Sequence, residues 1–348
     1  METFWFIVLL FMLTMYVILD GFDFGSGIVY LYAARTDMER RMALQAIGPV
    51  WNGNEVWLIA SGGLIFFAFP KAYASGFSGF YLALMMVLWL LMGRGLALEL
   101  RSHIHHPLWQ TVCDHVFAVG SFLLALVFGA ALGNLVRGVP LNKEGYFFTP
   151  FWTDFSIGPA PGILDWFTTF MGFFTIVILT AHGANYLAMK TEGELYERAH
   201  RIAWWGSWAI VGLLPIVFVA VGFVQPLARQ NFNASPLGYT FPLLGILALG
   251  SMLYFRKHQK DVRAFLASSF LIFGLLSSVG WALYPNILIA TTNPQYSLTI
   301  HNAAAGSYGL QVGLLWFSLG IVLVLMYMIY VYRSFWGKVP MPHEQDSY

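Results

Sequence analysis

Long apolar runs separated by short polar segments dominate the chain. A membrane-spanning helix needs about 20 predominantly apolar residues. Nine runs reach or approach that length, at residues 4–32, 50–69, 75–98, 115–136, 163–189, 202–224, 239–255, 264–284 and 309–332. Because the runs are continuous, and because lipid offers the backbone no hydrogen-bond partners, the pattern predicts helices and not the strands of a barrel.

The predicted fold is therefore an all-α, polytopic membrane protein with nine transmembrane helices. No linker or composition shift divides the chain, so residues 1–348 are expected to form a single membrane domain. The helix count suggests two four-helix bundles plus one peripheral N-terminal helix, although no strong internal repeat accompanies that division. The first run exceeds the usual length of a signal core, which favours a retained helix.

Composition and charge agree with this class and suggest an orientation. With 58% hydrophobic and 10% charged residues, the chain has more apolar surface than a soluble fold can bury, and its net charge of +1 gives no indication of nucleic acid. Of the 18 Lys and Arg residues, all but Lys71, Arg137, Lys143 and Arg229 fall on the side of the C-terminal tail and of the loops that follow helices 1, 3, 5 and 7. The positive-inside rule then predicts an outside N-terminus and a cytoplasmic C-terminus.

Acidic residues at membrane depth are confined to the first three predicted spans. An ionised group at the centre of a lipid-facing helix costs on the order of 2.5 to 3.5 kcal/mol, so such acids commonly face protein or water and often move protons. Asp20 and Asp23 are three residues apart, as are Asn52 and Glu55, so each pair shares a helix face. The alternative is that Asp20 and Asp23 lie in the headgroup zone and only mark the end of helix 1.

Two further charged residues leave open interpretations. Glu99 either belongs to the acidic group or forms an interfacial ion pair with Arg101. Arg94, which lies well inside an apolar run, either holds a carboxylate such as Glu99 or Glu55, or extends its charged head to the cytoplasmic face. The sequence does not decide between these arrangements.

The histidines and the single cysteine favour structural roles. Residues 103–106 form a His-x-His-His pattern in a predicted loop, which is more typical of a solvated surface than of a metal site. His182 lies within helix 5, where a hydrogen-bonded core imidazole is favoured over a haem ligand. Cys113 is the only cysteine, so no internal disulfide forms. No metal or cofactor is expected to bind to this chain directly.

Several ordered blocks together carry a family resemblance. They are residues 20–25, 39–41, 48–58, 77–81, 180–193, 284–285 and 297–300. These blocks resemble subunit II of the cytochrome bd-type quinol oxidases over nearly the whole chain. The resemblance implies a complex in the bacterial cytoplasmic (inner) membrane that oxidises quinol, reduces dioxygen to water and takes up protons from the cytoplasm.

The resemblance also implies partners and cofactors. Haem b, haem d and the quinol site would lie in a partner, subunit I, and this chain would support its assembly. Small single-helix accessory subunits, membrane lipid and a quinone or lipid bound in this chain are further expectations. They come from the resemblance and not from residue spacing.

In this family the acidic motif of helix 1 and the start of helix 2 are associated with a proton route into the partner. Relatives often carry Asp where this chain has Asn52, and an amide cannot release a proton. We therefore expect Glu55 to accept protons, assisted by Asp20 or Asp23. The expected proton-path residues are Asp20, Asp23, Asn52, Glu55 and Glu99, with Trp51, Trp57 and Arg94 in support.

Two other functions compete with this hypothesis. A purely structural partner subunit would need none of the acids for turnover. A proton-coupled transporter would need substrate contacts near the midplane, commonly at broken helices. Pro215 can kink helix 6, but no polar residue accompanies it. Unchanged turnover after substitution of the acids one at a time would indicate the structural role. Solute uptake by the purified chain would indicate a transporter.

Overall fold

A computed structural model describes residues 1–158 and 161–340 of the chain. The helices are α1 Glu2–Ala33, α2 Asp37–Ile47, α3 Trp51–Ala68, α4 Pro70–Gly79, α5 Tyr81–Leu100, α6 Pro107–Arg137, α7 Trp166–Lys190, α8 Gly193–Val224, α9 Pro226–Ala234, α10 Thr240–Lys257, α11 Asp261–Leu283 and α12 Ser307–Ser334. Two short antiparallel strands, β1 Asn286–Leu288 and β2 Leu298–Thr299, lie in the loop before α12.

The all-helical, polytopic class is confirmed. Within the described residues, eight helices are long and apolar enough to cross a membrane: α1, α5, α6, α7, α8, α10, α11 and α12. The helix predicted over 50–69 is α3, whose 18 residues span about 27 Å at 1.5 Å per residue. Its first two turns contain Asn52, Asn54 and Glu55, which lower its hydropathy relative to the other eight.

Three helices differ from the apolar runs that predicted them. The run at 75–98 is divided between α4 and α5, because the helix breaks at Phe80. Helix α6 begins at Pro107 and α8 at Gly193, well before the runs that start at 115 and 202. The first turns of both helices are polar. A prediction based on apolar length alone therefore starts each helix too late.

Helix α1 is central, so the prediction of a peripheral N-terminal helix is wrong. It packs against α3, α6, α7 and α11. At its crossing with α7, a Cβ added to Gly25 would lie 1.9 Å from the carbonyl oxygen of Leu179, and one added to Gly183 would lie 2.2 Å from the carbonyl carbon of Gly25. Small residues at this crossing let the two backbones touch, which places α1 between its neighbours.

The expected membership of the two four-helix bundles is also wrong, because α12 does not join α8, α10 and α11 and is itself the helix at the edge. It lies along α1 and α3 instead. The rings of Phe317 and Trp5 are 5.5 Å apart, and Gly313 faces the ring of Phe67. None of the apolar window of α12 is buried within the chain, so most of its surface faces outward.

Polar contacts gather the loops at two opposite ends. At one end, ion pairs join the segments that follow α1, α5 and α7 with the C-terminal tail: Arg40–Asp114, Arg101–Asp37, Arg198–Glu39 and Lys338–Glu192. At the other end, Glu2 pairs with His301, Thr3 meets Tyr284 and Arg137 pairs with Asp165. The loops richest in basic residues therefore share one end, away from the N-terminus.

Candidate functional site

The two aspartates of α1 are fully buried inside the protein. Asp20 and Asp23 are both 0% exposed. Their position contradicts the interpretation that they merely mark a helix end in the headgroup zone. Each aspartate has a different partner, contributed by a different helix, as the following contacts show.

Arg94 of α5 is the partner of Asp20. Its Nη2 lies 3.0 Å from Oδ1 of Asp20, and both side chains are almost completely buried. The guanidinium carbon is 4.5 Å from the centre of the Phe24 ring, which provides a cation–π contact. The expectation that Arg94 holds a carboxylate is correct, but the suggested partners Glu55 and Glu99 are wrong, and the side chain does not extend to the surface.

Asn54 of α3 is the partner of Asp23, and sequence reasoning did not select it. Its Nδ2 donates to Oδ2 of Asp23 at 2.8 Å, while its Oδ1 accepts from the Tyr332 hydroxyl of α12 at 2.8 Å. The helix phase could have indicated this, because buried residues of α3 recur at helical spacing. They are Trp51, Asn54, Trp57, Ser61, Leu64 and Ala68.

Asn52 and Glu55 do not face the buried aspartates together. Glu55 is half-buried at the edge of the group, close enough to Asp20 and Arg94 for their charges to interact. Asn52 is exposed on the outer surface of α3. The predicted pair therefore spans the boundary between the buried acids and the surface.

Glu99 and the two indoles lie around this group. Glu99 is exposed and accepts a hydrogen bond from Nε1 of Trp51 at 3.2 Å. The interfacial pair of Glu99 with Arg101 is wrong, because Arg101 binds Asp114 and Asp37. Trp57 is buried in apolar packing, with its ring 6.2 Å from that of Phe11.

Several buried polar atoms near Asp20 and Asp23 have no protein hydrogen-bond partner in the described part of the chain. They are Oδ2 of Asp20, Oδ1 of Asp23, Nε and Nη1 of Arg94, and the hydroxyl of Ser26. Leaving such a group unsatisfied costs about 1 to 3 kcal/mol, so buried polar groups are normally paired with protein or water. This part of the molecule is suited to hold water.

Arg256 of α10 is another buried charge, and sequence reasoning also missed it. Arg256 donates to Oδ1 of Asn185 at 2.6 Å, to Nδ1 of His200 at 3.1 Å and to Oδ1 of Asp261 at 2.8 Å. Both the charge and the donors are compensated, so the group fastens α7, α8, α10 and α11 together. Nothing in its sequence spacing signals it.

Among the described residues, His182 is the histidine most deeply buried in the helices. His182 is buried, with Nδ1 2.7 Å from Oγ of Ser268 and Nε2 2.9 Å from the carbonyl oxygen of Ile18. Its two ring nitrogens therefore serve packing, as expected for a core imidazole. Within residues 1–158 and 161–340, no group of three or more His, Cys, Asp or Glu side chains is arranged to hold a metal ion.

These features define a multi-pass membrane subunit built around a buried group of charges. The family model for cytochrome bd terminal oxidase subunit II matches residues 1–335. The chain therefore belongs to the family of cytochrome bd terminal oxidase subunit II and is part of a quinol:oxygen oxidoreductase complex.

Individual relatives agree over nearly the full length. The chain is 30% identical to the cytochrome bd-I ubiquinol oxidase subunit 2 of Escherichia coli strain K12, with 96% of this chain and 94% of the relative covered. It is 32% identical to the cytochrome bd ubiquinol oxidase subunit 2 of Bacillus subtilis strain 168, with 88% of each covered. The structure of bd oxidase from Geobacillus thermodenitrificans has the same fold, with a TM-score of 0.75, 16% identity and 96% and 98% coverage.

Proposed function

We propose that this chain supports subunit I of a bacterial bd-type quinol oxidase and supplies part of its proton-uptake path. In this proposal Asp20, Asp23 and Glu55 exchange protons, and Arg94 holds the charge of the group in place. Haem b, haem d and the quinol site are assigned to subunit I. The engagement of both His182 ring nitrogens supports placing the haems outside this chain.

The observation that carries the proposal is the excess of carboxylates over cations around Arg94. Asp20 contacts the guanidinium directly, and Asp23 on the same helix and half-buried Glu55 add two further carboxyl groups in this part of the molecule. Asp20 and Asp23 are fully buried. Burying uncompensated charge is costly, and a proton is the smallest charge that can compensate it. Unpaired oxygen and nitrogen atoms on Asp20, Asp23 and Arg94 can bind the waters that proton transfer needs.

The exposed residues of α3 and α5 near Glu55 favour this side of the molecule as the contact with subunit I. Asn52 on α3 and Glu99 on α5 are exposed, and such polar groups are unfavourable in contact with lipid. Large apolar side chains of α5 and α12 are exposed as well, including Trp89 of α5 at 67% and Leu323 of α12 at 67%. We place subunit I against α3, α5 and α12, so that Glu55 connects the buried aspartates with the partner.

The orientation follows from the ends of the molecule. The end that contains α2 and the ion-paired loops carries most of the basic residues, which supports a cytoplasmic location by the positive-inside rule. The N-terminus then lies outside, and the chain acts as one membrane domain. Accessory single-helix subunits and a bound quinone or lipid remain expectations from the family.

The test is oxygen consumption by the purified complex that carries Glu55→Gln or Asp23→Asn. Each amide keeps the shape of its acid but cannot exchange a proton. Turnover should therefore fall on the order of 10- to 100-fold, which is at or below the effect of removing a general acid or base. The visible spectra of the partner's haems should be unchanged. Glu194→Gln is the control, because its side chain is 79% exposed at the end of the molecule.

The two other functions predict different results. Unchanged turnover in every acid variant would favour a purely structural subunit. Loss of the haem spectra would indicate that the acids act in assembly. Uptake of solute by the chain alone would favour the transporter.

A further inference from the structure

A hydrogen-bond chain connects the last turns of α12 with the buried aspartate of α1. The Tyr332 hydroxyl donates to Oδ1 of Asn54, and Nδ2 of Asn54 donates to Oδ2 of Asp23, each at 2.8 Å. The residues come from three helices, and Asn54 and Asp23 are fully buried. Tyr332 itself is half-buried.

The Asn54 amide has a donor end and an acceptor end, and its contacts fix which end faces Asp23. The Asp23 carboxylate accepts from the amino end, and the Tyr332 hydroxyl donates to the carbonyl end, so the amide is held at both ends. Without the hydroxyl, the buried carbonyl oxygen of Asn54 loses its partner, which is costly. The amide is then held at one end only and can turn or shift relative to Asp23.

Helix α12 delivers this hydroxyl by a close approach to the first turn of α3. A Cβ built on Gly53 would lie 3.7 Å from Sδ of Met328 and 3.7 Å from Cε1 of Tyr327. Helix α12 otherwise contacts the chain along one edge, at Gly313 and Phe317, and none of its apolar window is buried. The position of α12 therefore decides whether Tyr332 reaches Asn54.

We infer that Tyr332 is a positioning residue that fixes the Asn54 amide and, through it, the geometry of Asp23. This inference rests on the proposed function, because it assigns Tyr332 a task in preparing the proton path. It also gives α12 a second task besides contact with subunit I. Displacement of α12 withdraws the hydroxyl and releases the amide.

The first test is Tyr332→Phe in the complete oxidase, compared with Tyr330→Phe. Phe keeps the ring and removes only the hydroxyl. Tyr330 is 71% exposed on the face of α12 that we assign to subunit I, so Tyr330→Phe measures the effect of losing a hydroxyl at that contact alone. A net hydrogen bond contributes about 0.5 to 1.5 kcal/mol, so we expect about a two- to tenfold lower kcat for Tyr332→Phe. The KM for quinol and the haem spectra should match those of Tyr330→Phe.

The second test asks whether Tyr332 acts through Asn54. In the double variant Tyr332→Phe with Asn54→Leu, turnover should equal that of Asn54→Leu alone, because the amide that the hydroxyl orients is already absent. Infrared difference spectra should show the Asp23 carboxyl band, identified by its loss in Asp23→Asn, shifted in Tyr332→Phe and unshifted in Tyr330→Phe. A merely structural contact would not move this band.

The outcomes separate the inference from the proposed function. If Asp23→Asn slows turnover but Tyr332→Phe behaves like Tyr330→Phe in rate and infrared spectrum, the inference is overturned and the proposed function stands. If Asp23→Asn and Glu55→Gln are both silent, the proposed function fails, and the infrared band still decides whether Tyr332 orients Asp23. Loss of haem in Tyr332→Phe alone, or independent effects in the double variant, would overturn the inference in favour of a structural role.

Discussion

Arg94 illustrates how one buried side chain is fixed by what surrounds it. It lies between Asp20 and the Phe24 ring and is 1% exposed. The guanidinium offsets a carboxylate that has no other charged protein partner within hydrogen-bond distance among the described residues. Removing one member of such a pair leaves the other charge buried and unpaired.

Arg94→Met should therefore destabilise the complex by about 3 to 5 kcal/mol, the cost of breaking a buried ion pair. We expect a lower thermal midpoint and a lower yield of haem-containing complex. Asp20→Asn combined with Arg94→Met should recover part of the loss, because the remaining charge is then removed. Arg201→Met, at an exposed position of α8, should leave both measurements unchanged. Equal effects at Arg94 and Arg201 would argue against this assignment.

Helix α1 owes its central place to the backbone contact at Gly25 and Gly183. Leu179 also lies at this crossing, so neither helix can move apart locally without opening the core. The close contact brings the two aspartates of α1 into the interior. An element whose composition resembles an ordinary membrane anchor thereby becomes the centre of the fold.

Gly183→Ala should lower the thermal midpoint of the complex. The added methyl would overlap the backbone of Gly25, and overpacking typically costs about 1 to 3 kcal/mol. Gly62→Ala is the matched control, because a Cβ there meets nothing within 4 Å and Ala favours a helix. If the thermal midpoint of Gly183→Ala is at or above that of Gly62→Ala, the close backbone contact of α1 with α7 at Gly183 is contradicted.

The short helix α2 depends on charge, and its contacts predict a dependence on pH. Burial raises the pKa of Glu39, but hydrogen bonds from the backbone of Arg35 and Thr36 and from Arg198 outweigh it, so the net pKa is lowered. A lowered folded-state pKa means that this stabilisation is present above the unfolded value, near 4.3, and is lost as pH falls through the folded-state pKa.

Amide hydrogen exchange in α2 should therefore accelerate below about pH 4, after correction for the intrinsic rate. The physical reason is that protonated Glu39 loses its ion pair with Arg198 and accepts weaker hydrogen bonds from the backbone at the start of α2. Glu39→Gln should show faster exchange at neutral pH and little further change on acidification. If the corrected exchange rate of α2 in the unaltered protein does not change with pH, the role assigned to Glu39 is contradicted.

At the scale of the whole molecule, exposed apolar area surrounds much of the chain, and polar residues distinguish one side. Trp89 of α5 and Trp205 of α8 are 67% and 66% exposed, respectively. Trp89 belongs to the same helix as exposed Glu99, and α3 beside it exposes Asn52. We expect this side to contact subunit I and the side with Trp205 to contact lipid.

Trp89→Ala should reduce the amount of subunit I that co-purifies with the chain. A large aromatic residue at the centre of an interface commonly contributes 2 kcal/mol or more, which corresponds to about a 30-fold weaker association. Trp205→Ala should leave co-purification unchanged, because lipid can fill the space. If Trp205→Ala separates the subunits and Trp89→Ala does not, the proposed side is incorrect.

The amino-acid sequence by itself determined the helical membrane class, the number of apolar runs and the presence of acids near α1 and α3. These features depend on the length and charge of contiguous segments, since lipid enforces internal hydrogen bonding within each segment. The family resemblance likewise followed from contiguous blocks such as residues 20–25 and 48–58.

The tertiary structure decided which polar groups meet. Arg94 and Asp20 are 74 residues apart and Tyr332 and Asn54 are 278 apart, so no local spacing pairs them. It also selected Asn54 over Asn52, because two residues along a helix rotate a side chain by about 200° to another face. Helix phase and the choice of neighbouring helices come from packing in three dimensions, and that packing, including the glycine crossing of α1 with α7, sets the arrangement of the buried charges.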